Sequence, residues 1–411
     1  MRNMTVKGDR LWDSLMEMAK IGATEKGGNC RLALTDLDRE GRDLFANWCR
    51  EAGCTLKVDK MGNIFARRAG KNDSLPPVMT GSHLDTQPTG GKYDGVFGVL
   101  AGLEVLRTLN DVGMETEHPV EVVVWTNEEG SRFAPAMVAS GVFAGAFDLD
   151  YGLSRADVDG KTMGEELKRI GYAGDEEVGG REIKAFFEAH IEQGPILEHE
   201  EKTIGVVLGA QGQRWFEITV TGQEAHAGPT PMPTRKDALV AASKIVTEVN
   251  RIGLDHPPFA CATVGMIQSH PNSRNTIPGE VFLTVDFRHP KDETLSQMDA
   301  ALRAFCEKLA ADGGFELKLE EIWYSPPVEF DKDCVSAVRS GAKAAGFSHM
   351  DIISGAGHDA CYVSRVAPTG MIFVPCENGI SHNEAEEATP EDLAAGCNVL
   401  LHAIIERAGI A

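Results

Sequence analysis

The sequence lacks the cysteine pattern of a disulfide-bonded or cysteine-liganded protein. It has 411 residues and nine cysteines, an odd number, and no two of the cysteines form a CxxC pair. Scattered cysteines of this kind predict neither a disulfide framework nor a zinc site built from thiolates. The cysteines therefore do not organise the fold.

Basic residues are scarce as well. Forty Lys and Arg stand against sixty-two Asp and Glu, which gives a formal net charge of −22 at pH 7. This balance argues against nucleic acid or an anionic membrane surface as a partner, and it favours solubility.

Long apolar runs are the third absence. No stretch approaches membrane-spanning length, and the N-terminus has no apolar segment of the signal-peptide type. We therefore expect a protein of the cytoplasm that does not contact a membrane. The hydrophobic content of 42% is ordinary for a globular protein, and the length allows two or three domains.

The stretch that is most informative about a functional site runs from residue 76 to residue 110. Its sequence predicts a short apolar strand, a Gly-rich loop that carries His83, Asp85 and Asp94, and then a helix. Open α/β sheets place their sites at the carboxyl ends of strands. An imidazole and two carboxylates at the end of a strand could supply some of the ligands of a metal centre. The alternative is a capped loop in which His83 and Asp85 bond only each other.

Three later segments also end an apolar, strand-like run in a polar cluster. These clusters are Glu128-Glu129, His190 with Glu192, and Ser381-His382-Asn383-Glu384. All could converge at the carboxyl ends of one sheet. Three histidines and two carboxylates without cysteine suit Zn²⁺, Mn²⁺ or Co²⁺. With two ions close together one carboxylate must bridge them, and a water held between the ions is a strong nucleophile at neutral pH.

The adjacent carboxylates Glu128 and Glu129 predict a division of roles. Neighbours in an extended chain point in opposite directions, so both cannot serve one ion unless a turn intervenes. One would be a ligand and the other a free carboxylate that moves protons. The alternative is a solvated turn, which is less favoured after the buried run PVEVVVWT.

The order of the predicted elements divides the chain into two domains. We predict a discontinuous α/β domain formed by residues 1–210 and 328–411, and an inserted domain at 211–327. Within the discontinuous domain, residues 154–171 are predicted to be helical. The insert is predicted to contain a strand at 214–221, a helix at 235–253, strands at 260–268 and 280–287, a helix at 293–312 and a strand at 315–323. This βαββαβ order is the ferredoxin-like arrangement.

Eight motifs carry a family resemblance that covers nearly the whole chain. They are GSHLDTQPTGGKYDG, TNEEGSRF, EAHIEQGPILE, AHAGPTPM, NTIPG, DFRHP, SGAGHDA and GISHNEAE. Each motif alone is weak, but together and in this order they resemble the amidase, hydantoinase and carbamoylase group of the aminoacylase-like dinuclear zinc hydrolases. That group includes N-carbamoyl-L-amino acid hydrolases, β-ureidopropionase and allantoate amidohydrolase.

The resemblance implies a metallopeptidase-like α/β catalytic domain around a mixed sheet, with an inserted ferredoxin-like lid and dimerisation domain. It also implies two divalent metal ions per chain, with Zn²⁺ expected first and Mn²⁺, Co²⁺ or Ni²⁺ as alternatives. The implied roles are Asp94 as the bridge, His83 and His190 at one ion, Glu129 and His382 at the other, Glu128 as general base and later acid, and Asp85 as the partner that fixes the tautomer of His83.

The insert supplies a second set of residues by the same resemblance. His226 would reach across a dimer interface to polarise the scissile carbonyl. Asn275 and Arg288 would hold the substrate carboxylate, and Gln213 and the backbone at Gly357 would complete the pocket. Without the resemblance, a turn residue for His226 and a surface ion pair for Arg288 are the simpler interpretations. Whether Gln213 or its neighbour Arg214 faces the substrate stays open.

The implied reaction is hydrolysis of the linear ureido C–N bond of an N-carbamoyl-L-amino acid or N-carbamoyl-β-alanine. The products are the free amino acid, CO₂ and ammonia, and the protein would be a homodimer through its insert. Allantoate or ureidoglycolate amidohydrolase is the alternative, because the motifs are shared. The alternative of another class is a catalytically dead homologue that acts as a binding protein.

Overall fold

The structure, a computed structural model, describes residues 4–411. The chain forms two compact units. The outer unit contains the described residues up to Gly209 together with Glu329–Ala411, and the inserted unit contains Ala210–Val328. The inserted unit extends one residue further at each end than the segment 211–327 that the sequence suggests.

The helices and strands follow one another along the chain in three groups. Before the insertion lie α1 (Gly8–Ala19), α2 (Asp36–Glu51), β1 (Thr55–Val58), β2 (Ile64–Arg68), β3 (Val78–His83), α3 (Val96–Asp111), β4 (Val120–Trp125), α4 (Val138–Phe143), α5 (Leu149–Leu153), α6 (Met163–Ile170), β5 (Ala185–Ile191), α7 (Ile196–His199) and β6 (Ile204–Ala210). The insertion contains β7 (Gly212–Thr221), β8 (Ala225–His226), α8 (Ala238–Leu254), β9 (Cys261–His270), β10 (Thr276–Ile277), β11 (Glu280–His289), α9 (Asp292–Gly313) and β12 (Glu316–Ser325). After it come β13 (Val328–Glu329), α10 (Lys332–Ala345), β14 (His349–Ser354), α11 (Asp359–Val363), β15 (Thr369–Val374) and α12 (Pro390–Ala408).

The outer unit is built on a mixed sheet. Its strand order is β1-β2-β4-β3-β5-β15-β6-β13, with β14 paired to β6. The four central strands β4, β3, β5 and β15 run parallel, and β2 and β6 flank them in the antiparallel sense. Every residue of these four strands is buried, as expected for parallel strands covered on both faces. Helices α3 and α12 pack on these strands and on each other.

The register of the parallel strands aligns their carboxyl ends. His83, the last residue of β3, lies opposite Trp125, the last residue of β4. His190 of β5 lies opposite Phe373 of β15. The chain segments that leave these four strands therefore start from one edge of the sheet, which is where an open α/β sheet places its site.

The inserted unit has a separate core. Its antiparallel sheet has the order β12-β7-β11-β9 and packs against α8 and α9. Chain order through these elements is βαββαβ, and apolar side chains of the sheet and both helices bury one another, among them Ile245, Leu283 and Leu302. The short strands β8 and β10 form a separate two-stranded ribbon.

One local expectation was wrong, and one strand was not predicted. Residues 154–171 do not form one helix, because residues 154–162 form a non-helical segment with a turn and only Met163–Ile170 is helical, as α6. In that turn the Asp157 carboxylate accepts the backbone N–H groups of Asp159 and Lys161, and Thr162 then caps α6 in a capping box with Glu165. The strand Ile204–Ala210 was not expected, although its apolar run is visible in the sequence.

No helix in the described part of the chain has the length and apolar character needed to cross a membrane.

Candidate metal centre

The polar clusters that follow the central strands meet at one edge of the outer unit. His83 ends β3, His190 lies near the end of β5, and His382 lies in the segment after β15. Glu128 and Glu129 follow β4 beyond Asn127, whose positive φ of 58° turns the chain. This turn is the local feature that allows adjacent carboxylates to enter the same site.

The first group of candidate ligands is His83, Asp94 and His190, all of them buried. The Asp94 Oδ1 atom lies 3.5 Å from His83 Nε2 and 3.2 Å from His190 Nε2. One ligand atom from each residue lies within 4.8 Å of the others. This spacing suits a single divalent cation between them.

The second group is Asp94, Glu129 and His382. His382 Nε2 lies 3.4 Å from the other oxygen of Asp94, Oδ2, and 3.3 Å from Glu129 Oε2. The His382 side chain is 52% exposed whereas Glu129 is 4% exposed. This group therefore lies closer to solvent than the first.

The two groups share Asp94 and use different oxygens of its carboxylate. That arrangement fits two cations with a bridging carboxylate. Imidazole nitrogens and carboxylate oxygens without thiolate suit Zn²⁺, Mn²⁺ or Co²⁺. The residues present therefore fit a dinuclear centre, with His83 and His190 on one side of Asp94 and Glu129 and His382 on the other.

Backbone carbonyls orient two of the imidazoles. His83 Nδ1 lies 2.8 Å from the carbonyl oxygen of Asp85, and His190 Nδ1 lies 2.9 Å from that of Ile191. Because a carbonyl oxygen can only accept, each Nδ1 donates, and in the neutral imidazole each Nε2 then has its lone pair for a ligand bond. The Gly95 N–H donates to His190 Nε2 at 3.1 Å, which is consistent with that tautomer.

Asp85 contacts its neighbours differently from the expectation. Its backbone carbonyl, not its carboxylate, accepts from His83, and the carboxylate lies 3.9 Å from His83 Nδ1. The carboxylate oxygens instead accept the N–H groups of Glu128 and Glu129, each at 3.2 Å. Asp85 therefore orients the turn that carries both glutamates.

Glu128 lies beside the two ligand groups and belongs to neither. It is buried, and its Oε2 atom lies 3.4 Å from His83 Nε2. Burial raises the pKa of the Glu128 carboxyl well above its ordinary range. Burial also acts to raise the pKa of Asp94, but His190 and His83 hold that pKa well below its usual range. The neighbouring carboxyl groups thus differ in their preference for a proton.

Gly95 allows Asp94 and His83 to approach. Its φ of 67° lies in the left-handed region, and a Cβ atom at this position would lie 2.3 Å from the His83 imidazole. Any side chain at position 95 must therefore displace the ring or the loop.

Three polar residues surround Asp94; the sequence analysis missed Gln193 and Glu386 and named Ser381 only as part of a cluster. Gln193 Nε2 and Ser381 Oγ each lie 2.8 Å from Asp94 Oδ2, and the buried Glu386 carboxylate accepts the Asp94 backbone N–H at 3.1 Å. All three lie inside motifs that the sequence shows. Glu384, Glu386 and Glu387 are the same residue type within four positions, so the sequence alone does not single out Glu386 as the one that contacts Asp94.

Other members of the polar clusters act elsewhere. The Glu192 carboxylate accepts the N–H groups of Ile196 and Leu197, each at 2.8 Å, and so caps α7. Glu384 lies 3.5 Å from Lys26. His358, which directly precedes α11, has its Nε2 atom 2.9 Å from Ser354 Oγ.

The candidate substrate residues of the inserted unit lie in two pairs. Gln213 and Arg288 are opposite each other on β7 and β11, and Arg288 contacts Asp286 with a closest N–O distance of 2.8 Å. His226 of β8 is exposed and lies opposite Thr276, next to Asn275. Arg214 pairs with Asp299 and Glu321 within the same unit. Gly357 belongs to the outer unit, in the loop between β14 and α11.

Comparison with known families gives one match that covers most of the chain. Residues 79–406 match the family described as peptidase family M20/M25/M40. The matched segment includes all five candidate ligands, Glu128 and the whole inserted unit.

Individual proteins match over nearly their full length. The chain is 54% identical to an N-carbamoyl-L-amino-acid amidohydrolase from Rhizobium meliloti, over 99% of this chain and 98% of that protein. It is 33% identical to a ureidoglycolate hydrolase from Arabidopsis thaliana, over 97% of this chain and 86% of that protein. A crystal structure of an amidase of the hydantoinase/carbamoylase family from Burkholderia multivorans is 70% identical, with a TM-score of 0.94 and 98% of each chain covered.

Proposed function

The chain belongs to peptidase family M20/M25/M40 and is a hydrolase that acts on linear amides, and from this premise we propose that it cleaves the ureido C–N bond of an N-carbamoyl-L-amino acid or N-carbamoyl-β-alanine. The observation that carries the hydrolytic part of the proposal is the shared Asp94, which has one candidate ligand group on each oxygen and the buried Glu128 beside them. The choice of substrate is supported by relatives such as the N-carbamoyl-L-amino-acid amidohydrolase of Rhizobium meliloti.

The cofactor we propose is a pair of divalent cations, Zn²⁺ before Mn²⁺, Co²⁺ or Ni²⁺. The residues that would hold them are His83, His190, Glu129, His382 and the bridging Asp94. When bound, such ions act as Lewis acids that polarise a carbonyl group and lower the pKa of water.

Glu128 is the proposed proton carrier. It takes a proton from the attacking water as the water oxygen bonds to the ureido carbon, and it delivers that proton to the amino-acid nitrogen as the C–N bond breaks. The free amino acid and carbamate result, and carbamate decomposes to CO₂ and ammonia. The position of Glu128 supports this role, because its carboxylate is buried beside the ligand groups and belongs to neither of them.

The substrate contacts we propose come from the second set of residues. Arg288 and Asn275 bind the substrate carboxylate, Gln213 and the Gly357 backbone complete that pocket, and His226 of a second copy of the chain stabilises the oxyanion. This assigns a homodimer, formed through the inserted unit, and a small ureido acid as the partners. The Arg288 guanidinium suits a carboxylate because it can donate two parallel hydrogen bonds.

Mixing two inactive variants tests the contribution of a second copy. Glu128→Gln and His226→Ala should each lose activity. In a mixed dimer, one site combines the intact Glu128 of one chain with the intact His226 of the other, so mixing should restore part of the activity. Absence of any recovery, with subunit exchange verified by differently tagged chains, would remove His226 from the partner's site.

Glu128→Gln tests the proposed base. The amide keeps the size of the side chain but cannot accept the proton, so turnover should fall by about 10²–10⁴-fold while the metal content stays at the wild-type level. Ammonia release and elemental analysis of the same samples measure both. A variant that keeps more than about a tenth of the wild-type rate would remove Glu128 from this role.

A substrate panel separates the alternatives. Ammonia release is measured with N-carbamoyl-L-amino acids, N-carbamoyl-β-alanine, allantoate and ureidoglycolate, with each metal added back after chelation. We expect the highest kcat/KM with an N-carbamoyl-L-amino acid. A preference for ureidoglycolate or allantoate would overturn that assignment, and a preference for ureidoglycolate would favour the activity named for the plant relative. Tight binding without ammonia release would indicate a binding protein.

A further inference from the structure

Two loops that are distant in the sequence supply the bridging residue and the most exposed ligand of the centre. One loop, residues 91–95, carries Asp94, and the other, residues 381–387, carries His382. Two adjacent glutamates, Glu386 and Glu387, join these loops. Their contacts differ, and the difference shows which of the two affects the ligands.

Glu386 is linked to Asp94 in two ways, directly through the Asp94 backbone and indirectly through Ser381. Its Oε1 atom accepts the backbone N–H groups of Tyr93 at 2.8 Å and Asp94 at 3.1 Å. Its Oε2 atom lies 3.0 Å from Ser381 Oγ, which is also 2.8 Å from Asp94 Oδ2. The side chain is fully buried, so water does not compete for these bonds.

Gly91 makes room for this carboxylate. A Cβ atom at position 91 would lie 2.1 Å from the Glu386 carboxyl group. The backbone of the Asp94 loop is therefore shaped around the Glu386 side chain, which is an observation independent of the hydrogen bonds.

The Glu387 carboxylate contacts two side chains of the loop that carries Asp94. Its carboxylate lies 2.6 Å from Lys92 Nζ and 3.1 Å from the Tyr93 hydroxyl, and the side chain is 47% exposed. A half-exposed ion pair of this kind contributes little. Glu387 therefore offers a matched control of the same residue type in the same loop.

We propose that Glu386 is a positioning residue that fixes Asp94 relative to His382 and thereby sets the affinity of the Asp94–Glu129–His382 group for its cation. The other group depends less on Glu386, because His83 and His190 are held by β3 and β5. The inference rests on the proposed function, since it assumes the two-cation centre.

The experiment titrates chelator-treated, full-length protein with Zn²⁺ by calorimetry and measures the metal retained after dialysis. Wild-type protein should bind two ions per chain. Glu386→Ala should keep one ion at nearly wild-type affinity and bind the other about 10–100-fold more weakly, the usual range for loss of a partner behind the ligands. Glu387→Ala should bind both ions like the wild type.

Glu386→Gln provides the conservative rescue. Its amide oxygen can still accept the N–H groups of Tyr93 and Asp94, so it should recover most of the affinity that Glu386→Ala loses. If Glu386→Ala does not fold, Ser381→Ala should show the same selective loss in smaller measure, because it removes only the hydroxyl between Glu386 and Asp94.

The outcomes separate this inference from the proposed centre. Wild-type affinity for both ions in Glu386→Ala overturns the inference and leaves the centre intact. Equal weakening of both ions, together with a lower melting temperature of the chelated protein, also overturns it, because the role is then structural. A wild-type protein that binds fewer than two ions overturns the centre itself, and the inference with it.

Discussion

At the scale of single residues, the candidate metal centre is arranged around one carboxylate, that of Asp94. Asp94 directs Oδ1 to His83 and His190 and Oδ2 to His382. Its backbone and its Oδ2 atom are held by further polar groups, including Gln193, Ser381 and Glu386. Small changes near Asp94 should therefore alter metal binding more than comparable changes elsewhere.

Gly95→Ala tests how closely the loop and His83 are fitted. The new Cβ would lie 2.3 Å from the His83 ring, and the positive φ of 67° adds backbone strain. We expect the variant to lose bound metal and activity, measured by elemental analysis and ammonia release.

Gly113→Ala is the matched control. Gly113 also has a positive φ, 62°, but nothing lies within 4 Å of the position that a Cβ atom would take there. It should lose roughly 1 kcal/mol of folding stability, as expected for an alanine forced into the left-handed region, and keep its metal. Full metal content in Gly95→Ala would contradict the predicted clash.

Much of the candidate site could be predicted from the order of residue types along the sequence. Apolar runs that end in His, Asp or Glu marked His83, Glu128 and His382, and the structure brings these together with Asp94. The division of ligands between two ions came from the family resemblance. The carbonyl of Asp85 and the burial of Glu386 could not be anticipated, because backbone partners and burial of a polar side chain leave no mark in a single sequence.

At the scale of elements, the parallel strands explain why distant clusters meet. Each of β3, β4, β5 and β15 is an apolar run that could be recognised as a buried strand, and parallel pairing aligns the ends. The prediction of one helix at 154–171 was wrong because the Asp157 side chain stabilises a turn there, although the apolar residues around it have helical spacing. Local side-chain bonds to the backbone compete with helix in this way.

Glu192→Ala tests an element-scale assignment. The sequence groups Glu192 with His190, but its carboxylate caps α7 through the N–H groups of Ile196 and Leu197. The variant should lose about 1 kcal/mol of unfolding free energy, typical of a lost cap, and keep its metal content. Denaturant unfolding and elemental analysis measure the two quantities. Glu129→Ala should lose an ion, and a similar loss in Glu192→Ala would assign Glu192 to the centre.

At the scale of the whole molecule, the chain consists of two units with separate cores. The βαββαβ order of the insert could be predicted because its strands alternate and its helices are amphipathic. The sequence suggested limits that lie close to those of the compact unit Ala210–Val328. The lid and dimerisation roles of this unit remain predictions.

Ile245→Ala tests the core of the inserted unit. Ile245 of α8 is fully buried among apolar side chains, so the variant should lose about 2–5 kcal/mol of unfolding free energy while the metal content stays unchanged. Val240→Ala on the same helix is the control, because Val240 is 53% exposed and should change stability by no more than about 0.5 kcal/mol. Equal effects of the two substitutions would contradict the described packing.

Anomalous diffraction at the zinc absorption edge, from crystals of the zinc-loaded protein, tests directly whether two cations share the Asp94 carboxylate. We predict two peaks for each chain, one among His83, His190 and Asp94 Oδ1 and the other among His382, Glu129 and Asp94 Oδ2, and both peaks should vanish after chelation. A single peak, or peaks that do not share Asp94, would contradict the two-cation centre.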